Sequence, residues 1–489
     1  MTSQAAPQTL ISGSLVIAGR AVAGAAADEV TDPATGTVIG IAPVSSDEQV
    51  DDAVQSAAQA FGPWAALPAT KRSAHLTAIA SWIRQHAADL ATTLTLEQGK
   101  PRSEAVGEVD AAAKAFDYYA AEAVRVRGET IPTGSPTLRS VAIRQPMGVA
   151  AAIGTWNYPL GIMAWKIAPA LAAGCTVVAK PAEQTPLTVL AVVAGAADAG
   201  LPPGVLNSVS GTGAEAGARL ASHPLVRKIS FTGGTATGRR LLHMAADDIK
   251  SVTLELGGHS PMIVLADAPM DLAVADAVKR SFRNAGQLCN SVNRVFVQRS
   301  VAEQFTERVT ERAAKLTLGH GLADPEPNLG PLTTADGLAR VEAHVADARA
   351  RGAQIRTGGS RATDGELAGG LFYQPTVVVG DGELLMAREE TFGPVVPVIV
   401  VEDADEAIAR ANSLDAGLVS YLYTRDLRSA TLLSERLEFG TVNVNNVGGG
   451  DVPFPYAGWK HSGLGIELSR AGMEEYLRVK HIRTELGYQ

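Results

Sequence analysis

Three side chains in this sequence have the chemistry required for covalent catalysis at a carbonyl carbon. Cys289 follows a Gly-Gln-Leu stretch, and Glu255 lies 34 positions upstream, where it precedes Leu-Gly-Gly. A thiol can attack the carbonyl, an amide such as that of Asn157 can stabilise the oxyanion, and a carboxylate can activate the water that releases a thioester. These residues therefore predict a thiol-dependent enzyme, whereas Cys175, between Gly174 and an apolar run, is predicted to serve in packing.

The elements that must position these side chains are clearest between Gln145 and Gly258. The β-rich runs there lie at 148–153, 175–179, 205–209 and 228–231. They alternate with Ala-rich helical segments near 160–173, 186–199, 213–222 and 235–246. Strands that alternate with helices of about 10–15 residues predict βαβ units and a parallel sheet of the nucleotide-binding type.

The rest of the chain predicts more helices and a second α/β domain. Amphipathic helices are expected before the βαβ region at 47–61, 70–99 and 103–127. Helices after it are expected at 268–283, 301–315, 335–351, 404–412 and 427–438, with strands such as 294–298 and 395–401 between them. A chain of 489 residues exceeds what one hydrophobic core usually supports, so two or more domains are expected to share a cleft.

Composition excludes several classes of protein. The formal net charge of −9 and the lack of a basic run argue against nucleic-acid binding. No apolar stretch is long enough to span a bilayer, and Met1–Thr9 lacks the pattern of a secretory signal. Two cysteines 114 positions apart form no disulfide framework. We therefore expect a cytoplasmic protein with no membrane partner, and no metal site is predicted.

Seven motifs together resemble the NAD(P)-dependent aldehyde dehydrogenase superfamily. The resemblance runs from about residue 30 to 482, and the motifs occur in the order and at the spacing of that family. They are Thr155-Trp156-Asn157-Tyr158-Pro159, Lys180-Pro181-Ala182-Glu183-Gln184-Thr185-Pro186, Phe231-Thr232-Gly233-Gly234-Thr235, Glu255-Leu256-Gly257-Gly258, Gly286-Gln287-Leu288-Cys289, Glu389-Glu390-Thr391-Phe392-Gly393-Pro394 and Lys460-His461-Ser462-Gly463-Leu464-Gly465. The resemblance implies a Rossmann-type NAD domain, an α/β catalytic domain and a small β oligomerisation arm.

The resemblance also implies the catalytic roles. Cys289 is the nucleophile that forms a thiohemiacetal, and Asn157 donates its amide to the oxyanion together with the backbone N–H of Cys289. Glu255 activates the water that hydrolyses the thioester to a free acid. Lys180 is counted with these catalytic residues as well as with the cofactor site.

NAD is the expected cofactor. In the resemblance, Lys180 and Glu183 hold the adenosine ribose, and a carboxylate there repels the 2′-phosphate of NADP. Glu390 binds the nicotinamide ribose, Phe392 flanks the ring and Trp156 shapes the pocket. Gly234 replaces a usual serine in the phosphate loop but keeps the backbone donors. The full set of predicted cofactor residues is Thr155, Trp156, Lys180, Glu183, Gly213, Gly233, Gly234, Leu256, Glu390 and Phe392.

The residues that indicate the substrate point to two different classes of aldehyde. Arg283 resembles an arginine with which succinate-semialdehyde dehydrogenases hold a distal carboxylate, while Trp165 and Tyr158 resemble the aromatic residues of amino-aldehyde and betaine-aldehyde dehydrogenases. Tyr456, with Phe454 and Asp451, could extend an aromatic site. Plain alternatives stay open, because Arg283 could be a surface charge and Trp165 could only pack. A semialdehyde such as succinate semialdehyde is preferred, with an amino, betaine or aromatic aldehyde as the alternative and a non-redox thiol esterase as a remote one.

The resemblance sets the expected domains and assembly. The NAD-binding domain is expected at 1–124 and 146–257, the catalytic domain at 258–460, and the arm and tail at 125–145 and 461–489. The alternating residues 140–144 suit an exposed strand that pairs across subunits, in a homodimer or homotetramer.

Overall fold

The computed structural model describes residues 10–487. Met1–Thr9, where no secretory signal is expected, and Tyr488–Gln489 lie outside the described residues, so the ends of the domains predicted at 1–124 and 461–489 do so as well. Within the described chain, no helix combines the length and the apolar character needed to cross a membrane.

The helices follow the predicted amphipathic segments. They are α1 Asp47–Ala66, α2 Ala69–Gln85, α3 Ala87–Gln98, α4 Arg102–Ala123, α5 Pro159–Ala173, α6 Leu187–Asp198, α7 Ala218–Ser222, α8 Thr235–Ala246, α9 Met270–Phe282, α10 Arg299–Ala313, α11 Ala335–Ala350, α12 Leu385–Arg388, α13 Ala404–Asn412, α14 Leu427–Arg436 and α15 Ser469–Glu474. Short π- or 3₁₀-helical turns lie at Gly213–Gly217, Arg283–Gly286 and Gly365–Gly369.

The strands form two large sheets and several small ones. They are β1 Ile11–Ser12, β2 Leu15–Ile17, β3 Arg20–Val22, β4 Ala26–Thr31, β5 Val38–Val44, β6 Glu129–Thr130, β7 Leu138–Pro146, β8 Val149–Ile153, β9 Thr176–Lys180, β10 Leu206–Ser208, β11 Val226–Thr232, β12 Ser251–Glu255, β13 Ser260–Val264, β14 Val292–Gln298, β15 Gln354–Thr357, β16 Thr376–Gly380, β17 Val395–Val401, β18 Ala416–Gly417, β19 Val419–Tyr423, β20 Thr441–Val444, β21 Trp459–Lys460, β22 Gly463–Leu464 and β23 Leu477–Glu485.

The first large sheet confirms the predicted parallel α/β architecture. Its order is β10-β9-β8-β11-β12-β22, and its first five strands run parallel. Every residue of β8 and β9 is buried, as expected for strands with helices on both faces. Residues at the carboxyl ends of β8, β9, β11 and β12 therefore meet at one edge, where open α/β sheets bind ligands.

The second large sheet has the order β15-β16-β17-β14-β13-β19-β20. Its strands are parallel except for the pair β15 and β16. The main hydrophobic core is continuous from the α2, α4 and α5 layer to this sheet, through residues such as Phe116, Leu171, Val295 and Tyr421. The predicted second α/β domain is thus present.

The predicted helix at 70–99 is wrong in one respect, because two helices occupy it. The chain leaves helical geometry at His86, whose φ is −105° and ψ is 15°. The His86 ring nitrogen Nδ1 lies 2.9 Å from the carbonyl oxygen of Trp82, and the ring stacks on that indole at 4.0 Å. The backbone N–H of His86 still donates to the same Trp82 carbonyl oxygen, at 3.1 Å, so α2 and α3 are separated by the backbone angles of His86 and not by a lost hydrogen bond.

The small β-arm differs from the prediction in its strand order. It is a three-stranded sheet of order β23-β7-β6, so residues 140–144 lie in the central strand and not at a free edge. Ala142, for example, is paired with His481 on one side and Glu129 on the other. Where β6 pairs with it, at Val141 and Ala142, β7 has no backbone groups left for another chain, whereas β23 has one open side.

Part of the segment predicted as arm and tail belongs to the first sheet instead. The short strand β22 runs antiparallel to β12, with Gly463 opposite Glu255 and Leu464 opposite Leu254. In addition, the N–H of Leu256 donates to the carbonyl oxygen of Ser462 at 2.9 Å. The last part of the chain therefore holds the strand end that carries Glu255.

Candidate active site

A tight turn presents Cys289 at the wall of two cavities. The turn at Arg283–Gly286 has left-handed backbone at Asn284 (φ 48°), Ala285 (φ 52°) and Gly286 (φ 75°). A side chain at Gly286 would place its Cβ 2.1 Å from the carbonyl oxygen of Gly393, so only glycine fits there. This backbone path explains the glycine three positions before the nucleophile.

The thiol of Cys289 is partly exposed and its pKa is raised well above the usual range. Desolvation of the sulfur is the main cause, and the negative charge of Glu255 is the next. The Cys289 Sγ atom lies 3.3 Å from the hydroxyl oxygen of Tyr456. The thiol is therefore protonated in the free enzyme at neutral pH, and formation of the thiolate requires a base.

Asn157 is held rigidly between β8 and α5. Its side-chain Nδ2 donates to the carbonyl oxygen of Gln287 at 2.9 Å, and the residue is buried. An amide nitrogen carries two hydrogens, so one N–H remains for an oxyanion. Within the described chain, the backbone N–H of Cys289 donates to no backbone carbonyl. The two predicted donors are thus present near the sulfur.

Sequence reasoning missed the residues that clamp the backbone of Asn157. The Lys100 ammonium donates to the carbonyl oxygen of Asn157 at 2.9 Å and pairs with Glu108 at 2.5 Å. Glu108 also accepts from the first turn of α5, at the N–H groups of Leu160 and Gly161, both at 3.0 Å. The Gly-Lys-Pro before α4 was the available sequence signal, but contacts across 57 positions are not visible in a local pattern.

Glu255 ends β12 and lies buried beside both the thiol and a charged pair. Burial, followed by the negative charge of Glu467, raises the pKa of Glu255 to about 7, while the ammonium of Lys166 opposes the shift. Neither carboxylate oxygen of Glu255 has a hydrogen-bond partner among the described residues. A carboxylate with a pKa near neutrality and free oxygens can accept a proton from water at physiological pH.

The cavity on one side of Cys289 has a volume of about 510 Å³. It is lined by Asn157 and by all four predicted substrate residues, Tyr158, Trp165, Arg283 and Tyr456. The Trp165 and Tyr456 rings contact each other edge to face at 5.8 Å. Asp451 also lines this cavity, whereas Phe454 is exposed and lies outside its wall, contrary to the expectation that it extends the site.

The Tyr158 ring in this cavity already faces cations of the protein. The Lys100 Nζ lies 3.6 Å from the ring centroid, and the Arg283 guanidinium carbon lies 5.8 Å from it. The Arg283 Nε is also 3.7 Å from a carboxylate oxygen of Glu104. Arg283 is thus no isolated surface charge, since it bridges an aromatic ring and a buried carboxylate at the cavity wall.

Two connected cavities on the other side of Cys289 contain every predicted cofactor residue. The nearer cavity has a volume of about 500 Å³, and Cys289, Glu255 and Asn157 lie on its wall. Of the predicted cofactor residues it is lined by Thr155, Trp156, Gly233, Gly234, Leu256, Glu390 and Phe392. The farther one, of about 230 Å³, adds Lys180, Glu183 and Gly213.

These cavities fit a dinucleotide. Gly234 caps the N-terminus of α8, whose backbone N–H groups favour a phosphate, and a Cβ built on Gly234 meets no neighbouring atom. Glu390 is buried, and its Oε1 has no hydrogen-bond partner within the described part of the chain. Burial and then the charge of Glu255 raise the pKa of Glu390 to about 8. Such an unpaired carboxyl group suits the hydroxyls of a ribose.

Lys180 lies with the cofactor residues and not with the nucleophile. Its Nζ donates to the carbonyl oxygen of Pro181 at 2.9 Å and is 3.6 Å from a Glu183 oxygen. Burial lowers the pKa of Lys180, and the charge of Glu183 opposes that shift. Because Lys180 lines only the farther cavity and Cys289 does not line it, its expected place among the catalytic residues has no geometric support.

Comparison with known proteins places this arrangement in a family. A model described as the aldehyde dehydrogenase family matches residues 22–482. A succinate-semialdehyde dehydrogenase [NADP(+)] of Escherichia coli K12 and a glutarate-semialdehyde dehydrogenase of Pseudomonas putida are each 43% identical over 455 residues, which cover 93% of this chain and 93% of each relative. A solved betaine aldehyde dehydrogenase of Staphylococcus aureus in complex with NAD+ is 36% identical, with a TM-score of 0.95 over 98% of this chain and 96% of that one.

The match covers both large sheets and every motif on which the resemblance rested. The non-redox esterase alternative is therefore set aside. The chain belongs to the aldehyde dehydrogenase family and is an aldehyde dehydrogenase.

Proposed function

We propose that this enzyme oxidises a small aldehyde with a distal carboxylate, such as succinate semialdehyde, to the corresponding acid with NAD. The observation that carries the proposal is the pair of guanidinium groups, Arg280 and Arg283, at the wall of the cavity beside Cys289. Guanidinium groups bind carboxylates through paired hydrogen bonds. The names of the semialdehyde dehydrogenases similar to this chain support the same substrate class.

The residues divide the reaction as follows. Cys289 attacks the aldehyde carbon, its thiol proton passes to solvent water in the open cavity, and the new oxyanion accepts hydrogen bonds from Asn157 Nδ2 and the Cys289 N–H. Glu390, Gly234 and Glu183 would hold NAD, which would supply the acceptor for the hydride that the thiohemiacetal carbon loses as it becomes a thioester. Glu255 then takes a proton from water, whose oxygen attacks the thioester carbon and releases the acid and the Cys289 thiol. Burial of Glu255 keeps its pKa near the working pH.

The second candidate substrate is an amino or trimethylammonio aldehyde. The Trp165 and Tyr456 pair favours it, because two aromatic rings at a cavity wall can face a cation. Against it, the Tyr158 ring is already engaged by Lys100 and Arg283. Two guanidinium groups in a partly desolvated cavity also repel a cationic substrate. The anionic aldehyde is therefore preferred.

The preference for NAD rests on Glu183. Its side chain is 41% exposed and lines the farther cofactor cavity beside Lys180. A carboxylate there can accept hydrogen bonds from ribose hydroxyls and repels a 2′-phosphate. The E. coli relative is named for NADP(+) and the S. aureus structure holds NAD+. The preference of this chain is therefore tested by comparing its kcat/KM with NAD and with NADP.

We also propose the domain limits, the subunit contact and the cellular location of the enzyme. Within the described chain, residues 10–124 and 146–257 form the cofactor domain and 258–460 the catalytic domain, and the two domains meet at the Cys289 cavities. The arm at 125–145 joins subunits of a homodimer or homotetramer in the cytoplasm, with the open side of β23 as the contact strand in place of 140–144.

The test is a substrate panel followed by NADH absorbance. Succinate semialdehyde, butanal and betaine aldehyde provide an anionic, a neutral and a cationic substrate, and each is measured with NAD and with NADP. The proposal expects kcat/KM to be highest for the anionic aldehyde. Trp165→Ala is the matched comparison, because it should weaken betaine aldehyde selectively if the aromatic pair binds a cation. A panel in which betaine aldehyde leads, and loses its lead in Trp165→Ala, contradicts the proposed substrate.

A further inference from the structure

Arg280 is a buried cation at the wall of the 510 Å³ cavity that sequence reasoning did not single out. It lies on α9, nine positions before Cys289, and is 7% exposed. Its Nη1 donates to Asn290 Oδ1 at 3.1 Å, and its Nη2 donates to the carbonyl oxygen of Val447. Its buried Nε has no hydrogen-bond partner within residues 10–487. The guanidinium thus retains a free donor.

Arg280 lacks the carboxylate partner that the other cations lining this cavity have. Each of the others has a carboxylate partner: Lys114 pairs with Asp110 at 2.6 Å, and Arg283 Nε lies 3.7 Å from Glu104. Arg280 forms no ion pair in the part of the chain that the structure describes; its acceptors are an amide and a carbonyl. A desolvated guanidinium without an anion is unfavourable unless a ligand supplies one.

The two acidic residues near Arg280 do not neutralise it by direct pairing. Asp276 lies one helical turn earlier on α9 and accepts the hydroxyl of Tyr423 at 2.8 Å. Asp451 lines the cavity but is exposed to solvent. Neither makes an ion pair with Arg280 among the described residues, and the other two carboxylates of the wall, Glu108 and Asp110, pair with Lys100 and Lys114 instead.

We propose that Arg280 is the principal cation that binds the distal carboxylate of the aldehyde, with Arg283 in a lesser role because Glu104 already offsets its charge. This assignment rests on the proposed anionic substrate. The bond to Asn290 ties the guanidinium to the residue that follows Cys289, so the distance from the cation to the sulfur is set by the protein. Arg280 would therefore select substrates by charge and by the separation of the aldehyde and carboxylate carbons.

The experiment compares Arg280→Gln, Arg283→Gln and Lys279→Gln in the full-length enzyme. Glutamine keeps a donor for Asn290 or Val447 while it removes the charge, and Lys279 is the exposed neighbour on the same helix. The readout is the ratio of kcat/KM for succinate semialdehyde to that for butanal, a neutral aldehyde of equal carbon number. Loss of a desolvated charge-assisted pair should lower this ratio at least about thirtyfold in Arg280→Gln, mostly through KM.

The outcomes separate this inference from the proposed function. A wild-type enzyme with no preference for succinate semialdehyde over butanal overturns the anionic substrate itself. If the preference for succinate semialdehyde survives in Arg280→Gln but disappears in Arg283→Gln, only the role of Arg280 is overturned. The same holds if kcat/KM falls equally for both aldehydes in Arg280→Gln. If Arg280→Gln does not fold, the test uses Arg283→Gln instead. A preference for succinate semialdehyde of at least about tenfold in that variant supports the role of Arg280, and complete loss of the preference refutes it. Lys279→Gln should keep the wild-type ratio.

Discussion

Replacement of Glu255 by glutamine should stop the enzyme after the redox step. The amide has the size of the carboxylate but cannot take a proton from water, so the Cys289 thioester should persist. General-base catalysis contributes about 10²–10⁴-fold, and steady-state turnover should fall by that range. The first turnover should still release NADH, giving a burst of about one NADH per active site.

The structure also gives this prediction a pH dependence. Burial, with the charge of Glu467 second, raises the pKa of Glu255 to about 7. The active form is the carboxylate, so hydrolysis of the thioester is lost as pH falls through that value. A group with such a pKa is about 90% ionised at pH 8 and about 10% at pH 6, so wild-type deacylation should fall about ninefold between them. The Glu255→Gln rate should lack this dependence.

Stopped-flow absorbance of NADH at pH 6, 7 and 8 measures both the burst and the steady-state rate. Mass spectrometry of quenched samples should detect an acyl group on Cys289 in the variant. The reasoning would be refuted by a variant that turns over at nearly the wild-type rate, or by one that retains the wild-type pH midpoint, since another residue would then be the base.

Three further predictions use the same purified enzyme. Cys289→Ser should abolish turnover while NAD still binds in a fluorescence titration, because a hydroxyl is a far weaker nucleophile than a thiolate; measurable turnover would exclude the covalent route. Asn157→Ala should lower kcat about 10²–10³-fold, and a smaller effect would mean that its amide does not contact the oxyanion. The kcat/KM with NAD should be at least about tenfold higher than with NADP, and Glu183→Gln should reduce that ratio. Equal kcat/KM values with the two cofactors in the wild type would contradict the role of Glu183.

The sequence predicted most elements of the fold because hydrophobic periodicity is a local property. The βαβ region and most helices lie within a few residues of their expected limits. The break at His86 was not predictable in this way, since no glycine or proline marks it in the sequence. The strand order of the arm was also missed, because pairing partners far apart in sequence leave no local pattern.

The candidate site shows the same division. Residues within short motifs, such as Cys289, Glu255 and Glu390, were identified from sequence, and the structure places them around shared cavities. Residues that act through long-range contacts were not identified. Lys100 reaches Asn157 from the start of α4, and Arg280 lies one helical turn before the arginine that the resemblance did highlight. Only the folded chain shows that Arg280 and Arg283 line one cavity and that Lys100 lies against the Tyr158 ring of its wall.

The pairing of β22 with β12 has a consequence for how the enzyme matures. Gly463 lies opposite Glu255, and Glu467 forms the buried ion pair with Lys166 that sets the charge around that base. Both contacts come from residues 463–467, which the ribosome makes well after Cys289. The earlier segments can begin to fold during synthesis. The catalytic base, however, reaches its final environment only after residues 463–467 have been made, so a chain terminated before them would contain the nucleophile but could not hydrolyse the thioester efficiently.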